Sequence, residues 1–116
     1  MKLLILGDVV GTPGRDALKK KLPRIINENN IDFVVVNGEN AADDGRGLTQ
    51  SIAEEFFLNG VDVVTSGNHI WDKQESVNYI DKENKIITSP AYMLGKSISD
   101  VAEGIEKTIR ELLAMI

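Results

Sequence analysis

Phe33-Val34-Val35-Val36-Asn37-Gly38-Glu39-Asn40 is the stretch that decides the fold. Four apolar residues follow one another, the last three β-branched, and the run stops at Asn-Gly. A run without polar alternation suits a strand buried on both faces, as strands of a parallel sheet are. The same pattern recurs in Leu3–Leu6 before Gly7-Asp8, in Val61–Thr65 before Ser66-Gly67-Asn68-His69, and in Ile86–Thr88 before Ser89-Pro90. Between these runs lie segments of helical period, beginning near Pro13, Thr49 and Ile70, and a last one near Ser97. The order βαβαβαβα predicts a four-stranded parallel sheet with right-handed crossovers and helices on both faces, a three-layer α/β/α sandwich.

Helix boundaries are marked locally. Thr12 before Pro13 predicts a capping hydroxyl with proline at the first helical position. Pro23 falls inside that segment and is expected to kink or divide it. In the last segment Ile98, Val101, Ala102, Ile105, Ile109 and Leu112 recur at spacings of three and four, an apolar stripe suited to covering one sheet face. Ser97 and Asp100 at its start resemble a capping box with Asp in place of Glu.

Composition narrows the function classes. The 116 residues suffice for one compact α/β domain, with no repeat, linker or composition shift to divide it. Cysteine is absent, so disulfides, thiolate metal sites and cysteine nucleophiles are excluded. A net charge of −5, from 18 acids and 13 bases, opposes binding to duplex nucleic acid or an anionic membrane and suits divalent cations. The Leu3–Leu6 run is too short for a signal-peptide core or a membrane span, which leads to an expected cytoplasmic location.

Ligands of an open parallel sheet bind at the carboxyl ends of its strands. Three successive ends carry Gly7-Asp8, then Asn37-Gly38-Glu39-Asn40, then Gly67-Asn68-His69 with the chain's one histidine. Taken singly, Asp and Asn at such places are as well explained by turns and caps, and His69 by an exposed loop. The repetition at three ends is what points to a site. Carboxylate and amide oxygens with an imidazole suit Mg²⁺, Mn²⁺, Fe²⁺ or Zn²⁺, and a carboxylate such as Glu39 could bridge two ions. The glycines at 7, 38 and 67 mark places where something can approach the backbone closely. Separately, Thr12 and Arg15 at the first helix start offer a phosphate ion N–H groups and a guanidinium. The Gly7–Gly14 segment lacks the Gly-Lys-Ser/Thr ending of a P-loop and the spacing of a dinucleotide fold. A phospho-receiver domain is set aside too, because Thr65 and Ser66 stand where its aspartate belongs.

At these motifs the sequence resembles a known family. Leu6-Gly7-Asp8-Val9-Val10-Gly11-Thr12-Pro13-Gly14-Arg15, Val36-Asn37-Gly38-Glu39-Asn40-Ala41-Ala42 and Gly67-Asn68-His69-Ile70-Trp71-Asp72-Lys73 are similar to the YmdB-type calcineurin-like metallophosphoesterases, from residue 1 to about residue 85. The resemblance implies a dinuclear metal centre hydrolysing phosphodiesters, cyclic nucleotides among them. It implies Asp8 on one metal, Glu39 bridging, Asn68 on the second, Asn40 in the metal shell and His69 as proton donor to the leaving group. That family is longer, and its second half supplies further histidine ligands; no histidine follows His69 here. Residues 81–116, with Thr88-Ser89-Pro90-Ala91-Tyr92-Met93, resemble instead the closing strand and helix of ThiJ/PfpI-like flavodoxin-type proteins. Together these resemblances imply a chimera, engineered or recombined, with flavodoxin-like strand order 2-1-3-4. Its half-site would bind metal weakly and catalyse poorly. The rival expectations are an active metal-dependent phosphodiesterase completed by oligomerisation, a metal-independent phosphate-binding module, or a plain scaffold.

Overall fold

The computed structural model describes residues 1–72, 86–88 and 97–115. Four strands form one parallel sheet: β1 (Leu3–Asp8), β2 (Phe33–Asn37), β3 (Val63–Ser66) and β4 (Ile86–Thr88). Helix α1 (Gly11–Asn29) joins β1 to β2, and α2 (Gln50–Leu58) joins β2 to β3. A 3-10 turn, Asn68–Asp72, follows β3, and helix α3 (Ile98–Leu113) follows β4. The α/β class and the four parallel strands are as the apolar runs predict. The rest of the helical segment expected from Ile70, and Ser89-Pro90, lie outside the described residues.

The strand order is β1-β2-β3-β4, which corrects the expected 2-1-3-4. In the expected order the chain would reverse its direction across the sheet after β2, placing α1 and α2 on opposite faces. Here it never reverses, and right-handed crossovers stepping one way put both helices on one face. The packing agrees. Leu18 and Leu22 of α1 and Ile52, Ala53 and Phe56 of α2 share one buried cluster with Val34, Val36 and Val64 of the sheet.

The opposite face is covered unevenly. Val35, Val63 and Ile87 are buried there, yet Leu3 and Ile5 of the edge strand β1 are 39% and 65% exposed. Helix α3 packs against β4 and reaches over the β2–β3 end of this face, where it forms the third layer among the described residues. None of its residues is buried. Of the expected stripe, Val101 and Leu112 are half-buried, whereas Ile98, Ala102, Ile105 and Ile109 are exposed; Gly104 and Thr108 turn inward instead. The physical reason is a cleft of about 260 Å³ between the helix and the strand ends, over which Ile105 and Ile109 stand without pressing onto the sheet.

Local signals fared differently. Thr49 caps α2, its hydroxyl accepting from the Ile52 N–H at 3.2 Å, and Ser97 caps α3 by accepting from the Asp100 N–H at 3.1 Å. Thr12 is not the cap of α1. That helix begins at Gly11, whose φ of +56° turns the chain two residues earlier than the Thr-Pro signal implies. Nor does Pro23 divide α1, which runs unbroken past it.

Candidate functional site

The carboxyl ends of β1, β2 and β3 open on one rim. At β1 the register with β2 shifts between Leu6 and Asp8: Leu6 pairs with Val36 and Asp8 with Asn37, leaving Gly7 as an extra residue. Bulges of this kind re-aim side chains. Here the extra residue takes Asp8 off the face filled by Leu4 and Leu6 and sets it beside the end of β2.

Asp8 then meets the β2 loop. Asn40 Nδ2 donates to Asp8 Oδ2 at 2.8 Å, and Asn40 Oδ1 faces His69 Nδ1 at 2.6 Å. An ionised carboxylate only accepts, so Asp8 fixes which way the Asn40 amide points. Asn40 Oδ1 must accept in turn, which assigns a proton to His69 Nδ1 and leaves Nε2 as the nitrogen not engaged by Asn40. Three predicted site residues from three strand ends are thus joined in series. Both ends of the Asn40 amide are taken up in linking Asp8 to His69.

Glu39 lies beside this series and is held from several directions. Its backbone N–H donates to Asn37 Oδ1 at 3.0 Å, its carbonyl accepts from the Gly47 N–H at 2.6 Å, and Asn37 Nδ2 stands 3.5 Å from Oε1. The carboxylate lies against Gly67. Asn68, half-buried, opens the 3-10 turn between Gly67 and His69. Asn37 is a member of this group that the prediction of site residues missed; an Asn at a strand end, two residues before an acid, is the pattern of an Asx turn and was the available signal.

Thr12 and Arg15 sit on the far side of the β2 loop. Arg15 donates to the Ala41 carbonyl and, at 2.6 Å, to Asp43 Oδ1; the Thr12 hydroxyl donates to the same oxygen at 3.0 Å. Of the groups expected to meet a phosphate ion, the Arg15 guanidinium is therefore engaged by Asp43 and the Ala41 carbonyl. The Arg15 hydrogen bond first, then that of Thr12 and the guanidinium charge, hold the Asp43 carboxyl below its ordinary value.

The donors suit a divalent cation in kind: two carboxylates, two carboxamides and an imidazole, mostly hard oxygens. Among the described residues, no three His, Cys, Asp or Glu side chains are grouped closely enough to enclose one. The rim therefore fits one side of a coordination shell. Also among the described residues, no helix is long and apolar enough to cross a membrane.

Comparison with known proteins follows the same residues. The YmdB-like protein family matches residues 4–109. The chain is 40% identical over 116 residues to the 2′,3′-cyclic-nucleotide 2′-phosphodiesterase of Bacillus subtilis strain 168, covering 97% of this chain and 44% of that protein. Among solved structures, a hypothetical protein from Thermus thermophilus superposes with a TM-score of 0.70 at 35% identity, over 83% of this chain and 36% of the other. A novel phosphatase from Mycoplasma pneumoniae gives a TM-score of 0.70 at 32% identity, over 77% of this chain and 31% of the other. The chain spans less than half the length of each. The family match crosses residue 85 and continues through most of α3, so the comparisons give no support to a chimera or an engineered join.

Proposed function

This chain belongs to the YmdB-like protein family, and we propose that its rim forms one half of a divalent-metal-dependent phosphoester hydrolase site, with phosphodiesters of the cyclic-nucleotide type as substrates. The observation that carries this reading is the hydrogen-bonded series Asp8–Asn40–His69 with the Glu39 carboxylate beside it. Asp8, Glu39 and Asn68 would hold the cation, with Asn40 at its edge. When bound, such a cation supplies Lewis acidity to a phosphoryl oxygen and lowers the pKa of water. Mn²⁺, Fe²⁺, Mg²⁺ and Zn²⁺ all suit these donors.

The chain's own residues account for the proton. Asn40 holds the imidazole by Nδ1, which leaves Nε2 to carry a proton and hand it to a departing alkoxide oxygen. General acid catalysis of this kind contributes about 10²–10⁴-fold, so His69→Ala should lower kcat by that factor and change KM little. With only two carboxylates in the set, binding is expected in the weak, roughly millimolar range, and turnover by this chain alone is expected to be slow.

The test is a Mn²⁺ titration followed by electron paramagnetic resonance, run beside hydrolysis of bis-p-nitrophenyl phosphate and 2′,3′-cyclic AMP. Weak binding lost in Asp8→Asn and Glu39→Gln is the expected result. Binding that survives both substitutions unchanged would sink the reading. A second reading is favoured by the activity of the Bacillus relative: a working phosphodiesterase that completes its site by oligomerisation. Efficient Mn²⁺-dependent turnover, rising with protein concentration as sedimentation shows self-association, would put that reading first. If inorganic phosphate raised the melting temperature without metal, and Arg15→Ala removed the effect, the rim would instead be a simple anion site.

A further inference from the structure

The Glu39 carboxylate occupies space that a side chain at position 67 would take. A Cβ built on Gly67 would lie 2.9 Å from Glu39 Cδ, 3.1 Å from Oε1, and closer still to Oε2. Real Cβ atoms essentially never approach other heavy atoms under 3.0 Å, so one of the two must move. Gly67 is itself buried, at the exit of β3 and one residue before Asn68. On its other side the carboxylate is bounded by Asn37, whose Nδ2 is 3.5 Å from Oε1 and whose Oδ1 accepts the Glu39 N–H. No other glycine with a described neighbourhood meets a site residue in this way. Gly38 would strike Val64, Phe56 and Leu48, all core residues, and Gly7 would meet nothing within 4 Å.

We propose that Gly67 is a positioning residue for Glu39: its missing side chain leaves the berth in which the carboxylate lies, between the β3 exit and Asn37. This deepens the metal-site reading, because it explains how an acid from the β2 loop is delivered to the end of β3, beside Asn68. A flexible acid on a loop would otherwise sample many rotamers, and a site gains by having only one available. The steric demand falls on the far end of a side chain, which can rotate away. Gly67→Ala should therefore displace the carboxylate and leave the fold intact.

The experiment has a metal-free arm and a metal arm. In metal-free protein, the Asn37 side-chain amide resonances in a ¹⁵N spectrum should move in Gly67→Ala much as they do in Glu39→Ala. In the Glu39→Ala background, adding Gly67→Ala should leave them in place. In the metal arm, Gly67→Ala should weaken Mn²⁺ binding about tenfold or more, the scale on which supporting residues act, while the melting temperature shifts by only a few degrees. Unmoved Asn37 resonances in Gly67→Ala would overturn the proposal, as would Mn²⁺ binding equal to the parent's. So would equal changes with and without the Glu39 carboxylate, which would mean that position 67 acts through the backbone alone. If the parent bound no Mn²⁺ while the metal-free coupling was seen, the berth would stand and the metal reading would fall.

Discussion

The two faces of the sheet are held very differently. On one, α1 and α2 bury Leu22, Leu48, Phe56, Val34, Val36 and Val64 almost completely. On the other, β1 leaves Ile5 exposed and α3 displays Ile98, Ile105, Ile109 and Leu113 to solvent. Apolar area removed from water stabilises and area left in water does not, so α1 and α2 contribute more to the fold than α3, although Val35, Val63 and Ile87 are buried on the second face as well. The site draws on that difference. Asp8 ends β1, and Asn40 and His69 follow β2 and β3 on the packed framework, whereas Glu39 also lines the cleft beside Ile105, Thr108 and Ile109 and so borders the loosely held helix α3.

Three substitutions test this contrast. Phe56→Ala empties the middle of the packed face and should cost about 3–5 kcal/mol in urea unfolding, enough to threaten a domain of this size. Thr49→Ala removes the one hydroxyl that caps α2 and should cost about 1 kcal/mol, since the Ile52 N–H loses its partner. Ile105→Ser on the open face should change stability by no more than about 0.5 kcal/mol. A loss of about 2 kcal/mol or more at Ile105 would break the comparison, because it would place α3 among the core elements whose disruption is felt on that scale.

The sequence made the local features legible. The runs at 3–6, 33–36, 61–65 and 86–88 became four strands, within a residue or two at their ends; burial on both faces accounts for the run of β2, whereas the edge strand β1 keeps an apolar run although Leu3 and Ile5 are exposed. Ser97 and Thr49 are caps because an N-cap hydroxyl acts within three residues. Strand order was not legible: both 1-2-3-4 and 2-1-3-4 use right-handed crossovers of the same lengths, and no local pattern states which way the chain steps. Thr12 misled for a related reason. Its hydroxyl serves Asp43, 31 residues away, and a left-handed Gly11 sets the helix start. At the site, Asp8, Glu39, Asn40 and His69 stood out as a repeated pattern at strand ends. How Asn40 joins Asp8 to His69, and how Gly67 makes room for Glu39, depends on distances across strands that no spacing encodes.

The smallest expected effect concerns the loop that carries Glu39 and Asn40. Asp43 pins it to α1 through Arg15 and Thr12, and its carboxyl is held below the ordinary value of 3.8 by those hydrogen bonds and that charge. A carboxyl with a depressed folded pKa binds its proton more readily in the unfolded chain. Its contribution is thus fully present above the unfolded value and is lost as pH falls through the folded one. Asp43 is exposed, so the contribution is small and screened by salt. Asp43→Asn should therefore lower the urea midpoint slightly at neutral pH and low salt, and the gap should close as pH falls below the carboxyl's ordinary value of 3.8 and through its lowered folded one, and also in about 1 M salt. The Arg15 guanidinium keeps the Ala41 carbonyl in the variant, so the loop stays attached. If the gap instead widened in acid, the protonated rather than the ionised carboxyl of Asp43 would be the form that supports the folded state, and its ion pair with Arg15 would contribute nothing. The loop would then owe its place to Arg15 and Ala41 alone, on the packed side of the molecule.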